Sequence, residues 1–200
     1  MFGIGDQFME YKKRKLSDQN NPVNEKLLWN SFRRGNHWAF SKIFYDYYDT
    51  LYYFGCNFNL NQDELKDLIQ DLFLKLWNSK DRLSKTDCIK AYLLKSFRRL
   101  VIDYYRNTRN EHKIPVDSQK IPEFIISHED VIINDESEKD KTDKIQRALH
   151  TLSKREQEIL YLKFYEKLDY SKIQQITELK YQSVRNIIHH ALIKMRANMK

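Results

Sequence analysis

Apolar residues in this chain recur at intervals of three and four, the spacing that places side chains on one face of an α-helix. Four such stretches follow one another from Glu25 to about Asn110. The first opens with Leu27, Leu28 and Phe32, and the second is aromatic-rich, with Phe40, Ile43, Phe44, Tyr47, Tyr48 and Leu51. Because those aromatics repeat at helical spacing, they are predicted to be core and not a stacking platform. The third stretch, from Asp63 to about Asn78, aligns Leu65, Leu68, Ile69, Leu72, Phe73 and Leu76 on one stripe. The fourth, from about Asp87 to Asn107, does the same with Leu93, Leu94, Phe97, Leu100, Val101 and Tyr104.

Between Lys113 and Asp143 the periodicity fails, and two of the chain's three prolines, Pro115 and Pro122, fall there. A connection of about 30 residues is long for the interior of one compact domain. Its Phe124-Ile125-Ile126 and Val131-Ile132-Ile133 clusters need cover, so the segment is expected to lie along a surface. Beyond it, Ser153 followed three residues later by Glu156 has the capping-box form and should start a helix with Ile159, Leu160 and Phe164 inward. A short helix around Tyr170–Ile176, a tight link and a long final helix from Tyr181 follow. On the last one Val184, Ile187, Ile188, Ala191, Leu192 and Met195 form one apolar stripe, with Ile193 projecting opposite it. At the other end, residues 1–24 lack periodic apolar positions and read as a flexible tail, its Lys12-Lys13-Arg14-Lys15 run solvated.

Composition agrees with helices: 4 Gly and 3 Pro in 200 residues is too little turn chemistry for a hairpin-rich sheet protein. The expected fold is all-α, with two small helical domains joined by an acidic linker. The domains are 25–112 and 144–200, the linker 113–143. Charge sharpens the division. Residues 1–113 hold 20 Lys/Arg against 14 Asp/Glu, residues 114–143 hold 3 against 9, and residues 144–200 hold 12 against 5. Two basic bodies flank an acidic connector, and the net charge of +7 points to a polyanionic partner, without by itself separating nucleic acid from an acidic protein or membrane surface.

Cys56 and Cys88 are too few for a disulfide framework or a Cys-rich zinc site. The first residues reverse the charge order of a secretory signal, and no apolar run approaches the roughly 20 residues of a membrane span. A cytoplasmic protein without membrane insertion is expected.

Three polar faces carry the candidate chemistry. On the last helix Gln182, Asn186, His189 and His190 point away from the stripe, with Arg185 and Arg196 on its flanks, and together with Ser183 they are the candidate base readers; Gln and Asn can pair with adenine edges, and Arg with guanine or phosphate. Short helix, tight turn and long amphipathic helix together favour a helix-turn-helix. On the fourth helix Tyr92, Lys95, Arg99 and Arg106 look outward, with Arg98 at the border, and set cations beside an aromatic, which suits partly opened DNA. On the third, Asp67, Gln70, Asp71 and Asn78 surround an apolar knob, Leu74, a face fit for a basic protein partner. Adjacent histidines on a helix diverge by about 100°, so His189-His190 is no metal pair. With no Gly-rich phosphate loop, nucleophile or metal constellation, neither enzyme activity nor a cofactor is expected.

In this order, these faces resemble the extracytoplasmic-function sigma factors of bacterial RNA polymerase. Asp67-Leu68-Ile69-Gln70-Asp71-Leu72-Phe73-Leu74-Lys75-Leu76-Trp77 is similar to that family's segment 2.2, which binds the coiled coil of the polymerase beta-prime subunit. Tyr92-Leu93-Leu94 through Asp103-Tyr104-Tyr105-Arg106 resembles segment 2.4, whose helix and preceding loop engage the promoter −10 element. Leu149 to Arg196 resembles region 4, and Tyr181-Gln182-Ser183-Val184-Arg185-Asn186 the start of the helix that reads the −35 element. The resemblance covers about residues 25–200, and the reduced two-region layout points to this subfamily. Tyr92 replaces the usual Trp, Arg99 the usual Asn, and Gln174 the usual small Ala. The resemblance implies a dissociable subunit of core RNA polymerase, contacting its beta-prime and beta subunits and promoter DNA, with an anti-sigma factor as the partner the family commonly has. The alternative from the residues alone is a helix-turn-helix regulator that binds operator DNA without polymerase.

Overall fold

The computed structural model describes residues 24–111, 124–126 and 139–199. The tail before Asn24, with its basic run, and most of the connector, including Val131-Ile132-Ile133, lie outside the described residues, as do the side chains of 109–111 and 139–143. The helices are α1 Glu25–Arg33, α2 His37–Cys56, α3 Gln62–Ser79, α4 Ile89–Glu111, α5 Lys139–His150, α6 Lys154–Leu160, α7 Tyr170–Thr177 and α8 Tyr181–Asn198. Among the described residues, extended pairing is limited to a lone antiparallel bridge between Phe58 and Phe124.

Helix starts follow from side chains that satisfy the free N–H groups of a first turn. Asn24 accepts from the amides of Lys26 and Leu27 at 3.0 and 3.3 Å to open α1. Asn36 accepts from Ala39 N–H at 2.9 Å to open α2. At α3, Asn61 and Glu64 exchange reciprocal bonds of 2.9 Å. Ser153 and Glu156 form the capping box expected at α6. Gly35, at φ 84, makes the left-handed turn between α1 and α2, where a side chain would be strained.

Two compact units divide the described chain: residues up to Asp49 with Phe73–Ile89, and Thr50–Leu72 with Lys90 onward. In the first, Trp29 is fully buried, stands 5.3 Å from Phe32, and donates its indole N–H to the Ser84 carbonyl at 2.8 Å. Within the same unit, one Glu25 carboxylate oxygen accepts from Tyr47 Oη–H at 2.9 Å and the other from Ile89 N–H at 2.8 Å. Burial, then the Glu25 carboxylate, push the Tyr47 phenol far above its usual range, so it stays a neutral donor.

The second unit is centred on Phe54, Phe58, Phe97, Phe124 and Tyr161, all buried. Phe124 bears out the expectation that its part of the connector is covered. Its ring lies 5.6 Å from Phe54, 5.0 Å from Phe58 and 5.5 Å from Tyr161. The Ile125 amide donates to Asn57 O at 2.8 Å and the Ile126 amide to Gln157 Oε1 at 3.1 Å. A Cβ added at Gly55 would collide with the buried Leu65 side chain and sit 3.2 Å from the Phe97 ring. Gly55→Ala is therefore expected to lose about 1–3 kcal/mol of stability by overpacking, despite a better helix former. A urea midpoint equal to or above wild type would show that Leu65 can move aside.

Three expected inward positions face out, and the first is Leu27, 66% exposed on α1. Phe164 is 56% exposed because α6 does not continue as an α-helix: Tyr161–Tyr165 is a π-turn, with Glu166 N–H bonded to Tyr161 O at 3.1 Å. The widened turn shifts later side chains off the α-helical stripe. Leu192 is 43% exposed at the edge of the α8 stripe, whose centre, Val184, Ile188 and Ala191, is buried. Helix α5 starts at Lys139, earlier than the expected boundary at 144.

Candidate nucleic-acid and polymerase interfaces

Helix α7, the three residues after it and α8 form the helix-turn-helix. Asp169 caps α7, accepting from Lys172 N–H at 2.8 Å, and its bonds to Ser171 and Lys172 hold its carboxyl below the usual range. Glu178 ends α7 in the left-handed region at φ 60, donating its N–H to Gln174 O at 2.9 Å. Arg155 fixes the turn from below, donating to Thr177 O at 3.2 Å. From α8, Lys194 reaches Glu156 at 2.6 Å. Burial would raise the Glu156 carboxyl, yet Lys194 and the Ser153 cap together hold it low.

On α8, Gln182, Arg185, Asn186, His189 and His190 are exposed and Ser183 is half-buried. Gln182 Nε2 donates to Asn186 Oδ1 at 3.1 Å, one turn away, so the two amides are presented as a unit. On α3, Asp67, Gln70, Asp71, Leu74 and Asn78 are all exposed, Leu74 by 53%, while Leu65, Leu68, Ile69, Leu72, Phe73 and Leu76 are buried.

Helix α4 is less open than its sequence implies. Arg106 and Arg99 are exposed, Tyr92 and Lys95 are half-buried, and Arg98, expected at the border, is 6% exposed. Its Nε donates to Glu158 Oε1 at 2.5 Å and its Nη2 to Oε2 at 3.4 Å. Burial, the leading influence, raises the Tyr92 phenol. Arg106 pairs with Asp103 at 2.9 Å, an exposed contact of little energetic weight.

Residues that pattern reading missed join these faces. Glu158, Glu166 and Glu178 meet α4 cations from 60 to 79 positions away, and no local signal marks such pairs. Asn30, Arg33, Arg34 and Lys85 line a cleft of about 300 Å³. Arg33 Nε is buried there without a hydrogen-bond partner. Among the described residues no group of three His, Cys, Asp or Glu is placed to hold a metal ion, and no helix is long and apolar enough to cross a membrane.

Comparison with known proteins places this arrangement. The family described as Sigma-70 region 2 matches residues 43–111, and that described as Sigma-70, region 4 matches residues 142–195. The chain belongs to the sigma-70 family. It is a sigma factor of the extracytoplasmic-function type, and it directs transcription initiation. RNA polymerase sigma factor SigV of Bacillus subtilis (strain 168) is 27% identical over 154 residues, 77% of this chain and 87% of that protein. The fold is shared with CnrH, solved in complex with the cytosolic domain of CnrY, at a TM-score of 0.58 and 17% identity, covering 86% of this sigma factor and 94% of CnrH. It is also shared with the sigma factor RpoE, solved with the anti-sigma factor NepR from Bartonella quintana. There the TM-score is 0.55 at 17% identity, with 80% of this chain and 96% of that one covered. Membership replaces the alternative of an operator-binding regulator that acts without polymerase.

Proposed function

We propose that the exposed face of α3 docks this sigma factor on core RNA polymerase, while α4 and α8 hold the two promoter elements. Asp67, Gln70, Asp71 and Asn78 give a polar, acidic rim to Leu74, a rim complementary to a basic partner surface. One observation carries this reading: Leu74 stands 53% exposed on a helix whose other leucines are buried. An apolar knob within a polar rim is the usual anatomy of a docking site.

Gln182, Ser183, Arg185, Asn186, His189 and His190 form the −35 reader in the duplex groove. Tyr92, Lys95, Arg98, Arg99 and Arg106 form the −10 grip, where phosphates meet cations and an unstacked base meets the Tyr92 ring. Residues 25–112 and 144–200 act as the two functional domains, and the beta subunit completes the polymerase contact. The protein works in the cytoplasm and performs no bond chemistry of its own, since polymerase supplies it. An anti-sigma factor is its negative regulator, by likeness to RpoE, which was solved with one.

Leu74→Lys is expected to weaken core-polymerase binding at least about tenfold, the effect of losing one interface anchor. Promoter-directed transcription with purified core enzyme should fall with it, while duplex binding by α8 should not. Wild-type core affinity in this variant would remove Leu74 from the docking face.

A further inference from the structure

The cleft between α1 and the loop that follows α3 lies outside the three faces assigned above. Asn30, Arg33 and Arg34, from the C-terminal end of α1, line one side of it, and Lys85, from the loop, lines the other, around about 300 Å³. That volume is at the lower end of the range for sites that take small molecules. The loop is fastened to α1 on both sides of Lys85. Ser84 O accepts the Trp29 indole N–H at 2.8 Å, and Ile89 N–H donates to Glu25 Oε2 at 2.8 Å. Between them Thr86 Oγ1 donates to Cys88 O at 3.1 Å and accepts from Cys88 N–H at 3.2 Å, which stiffens the segment from within. The cleft is therefore a preformed feature of the first compact unit.

Its lining is cationic and not neutralised. Among the described residues no carboxylate pairs with Arg33, Arg34 or Lys85. Arg33 is oriented through Nη1, which donates to Asn30 Oδ1 at 3.4 Å, while its Nε–H is buried without a hydrogen-bond partner. A buried charged donor left unpaired is costly, and native structures rarely carry one without a reason. Cations at the end of a helix complement its dipole, which accounts for the basic character of Arg33 and Arg34. It accounts neither for the orphaned Nε–H nor for Lys85, which arrives from a different segment.

We propose that this cleft binds a compact phosphate-bearing anion, a small molecule and not a strand of nucleic acid. A guanidinium offers parallel N–H donors that match two phosphate oxygens, whereas an ammonium supplies a point charge. Arg33 provides that fork, Nε–H included, and the exposed Arg34 and Lys85 add charge at the rim. Three cations without a counter-charge suit a group bearing more than one negative charge. A terminal phosphate carries nearly two at neutral pH and three acceptor oxygens, where a carboxylate carries one charge. The unpaired donor lies below the surface, within reach of a terminal phosphate that enters the cleft. A backbone phosphodiester has a single charge and sugars on both sides, which keep it at the rim. None of these residues belongs to the proposed docking or DNA faces, so this site can fail while those readings stand.

The test uses the full chain, with inorganic pyrophosphate as the probe and sodium chloride holding the ionic strength constant. The Arg33 Nε–H resonance, identified by its loss in Arg33→Lys, is followed by ¹⁵N NMR, and affinity is measured by calorimetry. A saturable shift of that resonance is expected, with binding at least about tenfold weaker in Arg33→Lys, which keeps the charge and loses the fork. Lys85→Gln should weaken binding several-fold, whereas Lys75→Gln, which removes an exposed cation from α3 in the same unit, should leave it unchanged. Circular dichroism checks that each variant is folded, and Lys85→Gln, on an exposed loop, carries the test if Arg33→Lys is not. No shift with millimolar pyrophosphate would overturn the site, as would equal losses in Lys75→Gln and Lys85→Gln, the mark of general charge attraction. A short random-sequence single-stranded DNA without terminal phosphates is the second arm. If it moves the Arg33 resonance and pyrophosphate does not, the cleft holds a nucleic-acid backbone and the small-molecule site is overturned.

Discussion

Trp29→Ala should unfold at markedly lower urea than wild type, with a loss of about 3–5 kcal/mol. Trp29 is the largest fully buried side chain of the first unit, so truncation leaves a cavity that its neighbours cannot all enter. It also strands a carbonyl. The indole N–H is the donor to Ser84 O at 2.8 Å, in the loop between α3 and α4. Trp29→Phe separates the two contributions, keeping most of the apolar volume and losing the hydrogen bond, for about 1–3 kcal/mol. The loop should then be cut faster by trypsin at Lys85, which is exposed. Equal cleavage rates in Trp29→Phe and wild type would mean that the hydrogen bond does not hold the loop.

Arg185→Ala and Asn186→Ala are each expected to lose about 1–3 kcal/mol of discrimination at the bases they face, roughly 5- to 150-fold. Selection from a randomised duplex library would measure this, since each variant should relax the enriched motif at one or two positions. Asn186 does not act alone. Gln182 donates to its Oδ1 at 3.1 Å, which restrains the amide of Asn186. Gln182→Ala should accordingly relax the same position, and the double variant should lose less than the two single losses combined. Uniform weakening across all sequences, with a shallower salt dependence, would instead mark these residues as phosphate contacts.

What the sequence made legible was whatever repeats locally. The α3 stripe from Leu65 to Leu76 is buried as its spacing predicts, and Leu74 stands outside it. The capping box at Ser153 is present because four consecutive residues suffice to specify it. The failures share a cause, the dependence of a side chain on something distant or on a change of helix type. Arg98 looked like a border cation because the carboxylate that covers it is 60 positions away. Phe164 left its stripe where the helix changed from α to π. The early start of α5 was hidden by composition: an acidic stretch reads as linker, yet negative charge suits the positive end of a helix dipole. The exposed α8 face was readable for the converse reason, since it depends only on its own helix.

The π-turn at Tyr161–Tyr165 carries one residue more than an α-helical turn needs. A chain shortened by one residue there could close the same turn with ordinary helical bonds and enter Asp169 in an unchanged frame. The DNA-reading module downstream would keep its register, and the bulging aromatic knob would vanish. This turn is therefore where the chain tolerates a change in length, while a deletion two turns earlier, among the buried residues of α6, would misalign everything that follows.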